Sequence, residues 1–269
     1  MTRSMLTNLI LLALAVLLGI AVLAQVRREQ DLRAQPLTTL DTDAINALAV
    51  RCTDCPARRF AKISGHWWMQ TPYRLPADDK AVMRLLAIAD APVRSLRPAS
   101  AFDLSRIGLG PAQATIDFGT RHLAIGTTDA IDGDRYVHID NNVALVEDRF
   151  SPYLHADAAS ELDRHLLPRG ARLLELRVDD VPQPQRMDAW RTIEAQRIVK
   201  ADPKAHFAGV AIHAQLSLDD GSMIDYRFYH GAADTVALRK APPLVYTLRE
   251  AQALALLGPS NSHPTDPLK

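Results

Sequence analysis

Residues 210–230 read VAIHAQLSLDDGSMIDYRFYH. Two runs of alternating apolar and polar side chains flank Asp219-Asp220-Gly221. An Asp-Gly pair tolerates the positive φ angles of a tight hairpin turn, and alternation with period two marks a strand with one buried face. Val210, Ile212, Ala214, Leu216 and Leu218 are therefore expected on one side of the first strand. A hairpin joins antiparallel neighbours, whereas a doubly wound parallel sheet needs a helix between successive strands. This stretch favours an antiparallel sheet with helices packed separately.

The pattern extends in both directions. Downstream, VALRK and PLVYTL read as two further strands. A last helix is expected after them, with Thr247 and Glu250 as a capping box and Ala251, Leu254 and Leu257 as its apolar stripe. Gly258-Pro259 should end it. Upstream, RLLELRV reads as a strand, and RMDAWRTIEAQRIV as an amphipathic helix with Met187, Trp190, Glu194 and Ile198 near one face.

The first half carries the same order. DAINALAV is a first strand with Ile45, Ala47 and Ala49 in alternation. ARRFAKI, Ser64-Gly65 and HWWMQ form a hairpin that Pro72 and Pro76 stop. Asp78 caps a helix whose face is Val82, Leu85, Leu86 and Ala89. Strands follow at 114–118 and around Leu123 and Ile125, and RYVHI and VALVE flank a turn at Asn141-Asn142. A short helix is expected at 157–166. The fold class is α+β, in which two divergent repeats of antiparallel strands with packed helices occupy residues 41–168 and 169–257. Residues 258–269 read as a disordered tail.

Ahead of these stands a different segment. Met5 to Ala24 holds no charged residue, and as a helix it spans about 30 Å, the hydrocarbon thickness of a bilayer. Residues 1–24 are read as an uncleaved transmembrane anchor. The rival is a signal peptide, since Val22 and Ala24 loosely fit a small-residue cleavage site. Residues 25–40 are a juxtamembrane linker containing Pro36. Arg27, Arg28 and Arg33 follow the span and only Arg3 precedes it, so charge bias alone does not favour export. Long domains are translocated regardless of such small biases.

The chain holds 31 basic and 31 acidic residues. A protein that lives on phosphate contacts shows a basic excess, so nucleic acid is not expected as a partner. Its two cysteines stand together in RCTDCPARRF, residues 51–60. For Cys52 and Cys55 three readings compete: a structural disulfide outside the cytoplasm, a redox-active pair, and a metal site completed by histidine. A thioredoxin-type pair sits at a helix N-terminus. Here Pro56 would fall inside that helix, and a hairpin strand follows. Zinc lacks two cysteine ligands, and haem attachment lacks its histidine. The disulfide is the expectation.

No HExxH, P-loop, GxGxxG or GxSxG occurs, so no catalytic residue, metal ligand or cofactor is assigned, and the balance leans away from an enzyme. Thr128 to Asp134 gathers three carboxylates without calcium-loop spacing, and a turn at Asp132-Gly133 is expected instead. His66, His122, His138 and His213 stand singly on strands. Trp67 and Trp68 must face opposite sides of their strand. One belongs to the core, and the other is either a second packed layer or a candidate interaction surface.

Several short motifs add a resemblance. Gly65-His66-Trp67-Trp68 and Pro72 are followed by Ala77-Asp78, Leu85-Leu86 and Gly108-Leu109-Gly110-Pro111. Then come Gly126, Tyr136-Val137 and Leu145-Val146. In this order, behind one N-terminal span, they resemble the DUF4340 family of bacterial envelope-associated proteins over roughly residues 44–257. The resemblance implies no catalytic residue, because the family has no established activity. Members are often encoded near ABC-transporter components, including the gliding-motility type. An accessory or scaffold role at an envelope or transport complex follows by association, on the bacterial inner membrane with the bulk of the chain in the periplasm. The alternatives are thiol–disulfide exchange by Cys52 and Cys55, and binding of a small ligand. The cysteine pair lies outside the resembling motifs.

Overall fold

The structure is a computed structural model that describes residues 3–33, 35–231 and 234–258. The expected disordered tail lies, apart from Gly258, outside the described residues. In chain order the chain opens with helix α1 (Arg3–Arg33) and strands β1 (Ala47–Cys52), β2 (Cys55–Ile63), β3 (His66–Thr71) and β4 (Leu75–Pro76). Helix α2 (Asp79–Leu86) precedes β5 (Val93–Pro98), β6 (Ala114–Phe118), β7 (Arg121–Thr128), β8 (Arg135–Ile139) and β9 (Asn142–Val146). The short α3 (Ser151–Leu154) leads to β10 (Leu173–Val178), β11 (Val181–Pro182), α4 (Met187–Thr192) and β12 (Arg197–Lys200). A final meander, β13 (Ile212–Leu218), β14 (Met223–His230), β15 (Asp234–Arg239) and β16 (Leu244–Arg249), ends in α5 (Glu250–Leu257). The class is α+β, with two antiparallel sheets behind an N-terminal apolar helix.

The chain divides into two compact units, 1–54 with 83–155, and 55–82 with 156–269. In the first unit, six strands run in the order β1-β6-β7-β8-β9-β5. Val50, Ile116, Leu123, Val137 and Val146 are fully buried on its inner face. Arg135 ties the far end together, donating to Asp148 at 2.7 Å, Ser151 at 2.6 Å and the Gly126 carbonyl at 2.8 Å. Burial alone would raise the Asp148 carboxyl, but bonds from Ser151 and Arg135 hold it below the ordinary range.

In the second unit, β2, β3 and β4 form an antiparallel ladder. The unit's sheet runs β11-β10-β13-β14-β15-β16-β12. Without the edge strand β11, the order β10-β13-β14-β15-β16-β12 matches that of the first unit strand for strand. Trp190, Tyr226, Phe228 and Tyr246 pack ring against ring on one face, with centroids 5.7 to 6.1 Å apart. Two of their polar atoms find backbone acceptors: Tyr226 Oη donates to Leu166 at 2.6 Å and Trp190 Nε1 to Leu256 at 3.2 Å. Burial pushes the Tyr226 hydroxyl well above its usual pKa.

Several expectations change in detail. The hairpin of 210–230 turns at Asp219 to Ser222 and buries Ala214, Leu216 and Leu218, but Val210 lies before the strand and is 90 % exposed. In β1 the buried residues are Leu48 and Val50, so the strand sits one residue out of phase with Ala47 and Ala49; the larger side chains take the core. Asp140 with φ of 51° takes the left-handed position before Asn141 and Asn142.

The expected long helix after Arg186 stops at Thr192, because Arg197 to Lys200 pair with β16 instead. Glu194 is half-exposed as a result. At α5 the cap is Arg249, whose N–H donates to Gln252, while Thr247 stays inside β16. The buried stripe there is Ala253, Leu256 and Leu257, and Leu254 faces outward. Residues 157–166 hold only one 3-10 turn, Ala158–Glu161, capped by Asp157.

Candidate functional site

Cys52 closes β1 and Cys55 opens β2, with only Thr53-Asp54 between them. The two are disulfide-bonded. Cys52 Sγ lies 3.7 Å from the Leu154 carbonyl oxygen. The pair stands at the turn where β1 ends and β2 begins. Neither cysteine stands at a helix N-terminus, so the dipole that stabilises a reactive thiolate is missing from this place.

Trp67 is buried, with the Lys62 ammonium 6.0 Å from its ring centre. Trp68 is half-buried on the other face of β3, opposite Ala61 and Pro76. Beside Trp67 a chain of charges begins that no sequence motif announced. The Trp67 N–H donates to Asp79 Oδ1 at 2.9 Å. Asp79 Oδ2 lies 2.8 Å from Arg169 and 3.0 Å from His66 Nδ1. Arg169 also reaches Asp163 at 3.0 Å, and Asp163 lies 2.5 Å from His165. His66 Nδ1 is itself 2.7 Å from Arg169 Nη1. Whether Nδ1 donates or accepts in these contacts depends on the tautomer. Burial alone would raise the Asp79 carboxyl, but the Trp67 amide, His66 and Arg169 together hold it below the ordinary value.

A cavity of about 940 Å³ lies in the second unit on the polar face of its sheet. The register fixes what lines it. One row across the strands is Arg177, Gln215 and Asp225, and Lys240 N–H bonds to the Asp225 carbonyl. The next row is His213, Arg227 and Leu238. Residues of the segment 201–207 form one wall, where Phe207 stacks on Tyr229 with ring centres 5.0 Å apart. Of this lining only His213 stands out in the sequence, because the rest is scattered from Arg177 to Pro243 and only strand pairing collects it.

Elsewhere, Asp129 accepts from the backbone N–H groups of Ile131 and Asp132, so its carboxylate closes the turn between β7 and β8. Among the described residues no group of three or more His, Cys, Asp or Glu side chains is arranged to hold a metal ion. In α1, the window Ile10–Arg27 is long and apolar enough to cross a membrane, and no part of it is buried against the described residues. Membrane anchors and signal sequences share that property.

These features define a two-sheet α+β protein headed by one membrane-compatible helix. The family model described as "Domain of unknown function (DUF4340)" matches residues 67–205, just over half of the 269-residue chain, and the chain belongs to that family. The match covers less than the 44–257 expected from the motifs. No curated protein and no solved structure matches the chain.

Proposed function

We propose that this is a single-pass, membrane-tethered extracytoplasmic protein that works by binding, as a scaffold or accessory subunit of an envelope or transport complex. The observation that carries the reading is α1. Its apolar window is not covered by any of the described residues. So large an apolar surface is not left in water, and a bilayer is the environment it fits. The disulfide supports export, since such bonds persist outside the reducing cytoplasm. On this reading the shared strand order of the two sheets is the trace of a divergent internal duplication. The compartment that best fits is the periplasm, with α1 in the inner membrane.

Fractionation tests the tether. The full chain should stay in the membrane pellet through alkaline carbonate, and a variant lacking residues 3–33 should be released. Mature chain shortened by cleavage after Ala24 and found free in the exported fraction would replace the tether with a signal peptide. Gentle crosslinking of the tethered chain should recover envelope proteins, and recovery of none would count against the scaffold role.

A second reading, small-ligand binding, is favoured by the cavity on the polar sheet face. Thiol–disulfide exchange has less support, because neither cysteine stands at a helix N-terminus. A Cys52→Ser chain with unchanged crosslinked partners would remove the redox version.

A further inference from the structure

We infer that the cavity walled by the segment 201–207 binds a small soluble organic anion, a phosphate or carboxylate group carried on a flat apolar body. The inference deepens the binding reading above by naming a ligand class for one unit. Its size, about 940 Å³, is at the upper end of the range for small-molecule sites, roughly 300–1,000 Å³. The lining holds five Lys or Arg side chains against three Asp, in a chain whose overall formal charge is zero. The local excess is therefore a property of this place.

Which charges are available decides the sign of the ligand. Arg177 is engaged by Glu175 at 3.1 Å, and Arg239 donates to the Ala241 carbonyl at 3.0 Å. Lys200, Arg227 and Lys240 are exposed and have no ion-pair partner among the described residues. Two of the carboxylates are already in use: Asp225 accepts from Gln215 at 3.2 Å and Asp202 from the Lys204 N–H at 2.9 Å. His206 and His213 add ring nitrogens at the same wall and floor. Arg227 offers a planar fork suited to two anionic oxygens, and the lysines add compact charge.

The second half of the ligand follows from the aromatic wall. Phe207 and Tyr229 both line the cavity, near-parallel at 25°, beside Met223, Leu238 and Pro243. Flat apolar groups pack well against such rings. A bare inorganic ion would leave that surface unused.

Equilibrium dialysis of the full-length chain in detergent micelles tests this, with phenyl phosphate as probe and inorganic phosphate and phenol for comparison. One saturable site for phenyl phosphate is expected, with weaker inorganic phosphate and no phenol binding. Arg227→Gln and Lys240→Gln should each weaken phenyl phosphate about tenfold, the loss of one charge-assisted bond. Phe207→Ala should weaken phenyl phosphate and leave inorganic phosphate unchanged. Far-ultraviolet circular dichroism identifies the folded variants, and either charge variant alone is sufficient. Absence of saturable phenyl phosphate binding, equal binding of phenol, or binding that survives the charge removals would each overturn the inference. Carbonate extraction of the same samples keeps the tether separate: a chain that stays in the membrane but binds no anion loses this site and keeps its proposed location.

Discussion

Arg58 and Glu161 are 103 residues apart in sequence, yet Nη1 and Oε1 meet at 2.5 Å with both side chains buried. Removing one partner of a buried ion pair costs about 3–5 kcal/mol. Urea denaturation of Glu161→Ala should show a loss of that order. The double change Arg58→Met with Glu161→Leu should recover most of it, because a well-packed apolar pair replaces two costly desolvations. Gly126 makes a different demand. A Cβ there would overlap the Ile107 carbonyl oxygen where residues 107–109 cross β7. Gly126→Ala should destabilise by roughly 1–3 kcal/mol, the usual cost of overpacking. Gly126 was legible as a motif residue, but its reason was not, since the crossing is tertiary. Arg58 and Glu161 carried no sequence signal at all, because nothing local pairs two charges at that separation.

At the scale of elements, the Ser64-Gly65 and Asp220-Gly221 turns were readable because turn chemistry is local: Ser64, Gly65 and Gly221 all have positive φ. Helix phase was less so. In α5 every third or fourth position is Ala or Leu, so composition alone could not choose between the stripe through Leu254 and the one through Leu256. At α4 the β-branched residues Ile198 and Val199 favour a strand, and pairing with β16 takes them from the helix. The disulfide closes the turn between β1 and β2, and Cys52→Ser with Cys55→Ser should cost about 2 kcal/mol, the small entropy of so short a loop.

The helix α2 junction gives a pH prediction. Asp79 has a folded pKa below its unfolded value, so its contribution is fully present above the unfolded value and is lost as pH falls through the folded one. The stability gap between wild type and Asp79→Asn should be constant above about pH 5 and shrink below about pH 4. A gap that stays constant down to pH 2 would show that Asp79 is not held by its neighbours.

For the whole molecule, the α+β class followed from alternation and turns, and the membrane-compatible helix from an uncharged run; both are one-dimensional signals. The cavity was invisible, because its rows of side chains come from β10, β13, β14 and the end of β15, which only sheet register brings together. We propose a tethered chain whose folded units lie outside the cytoplasm. Its most direct test is labelling of Cys52 and Cys55 in spheroplasts carrying the full chain, using a membrane-impermeant maleimide before and after a membrane-impermeant reductant. The account predicts no labelling before reduction and labelling of both cysteines after it, on a full-length chain that stays with the membrane. Labelling without reductant, or only after the membrane is lysed, would contradict it.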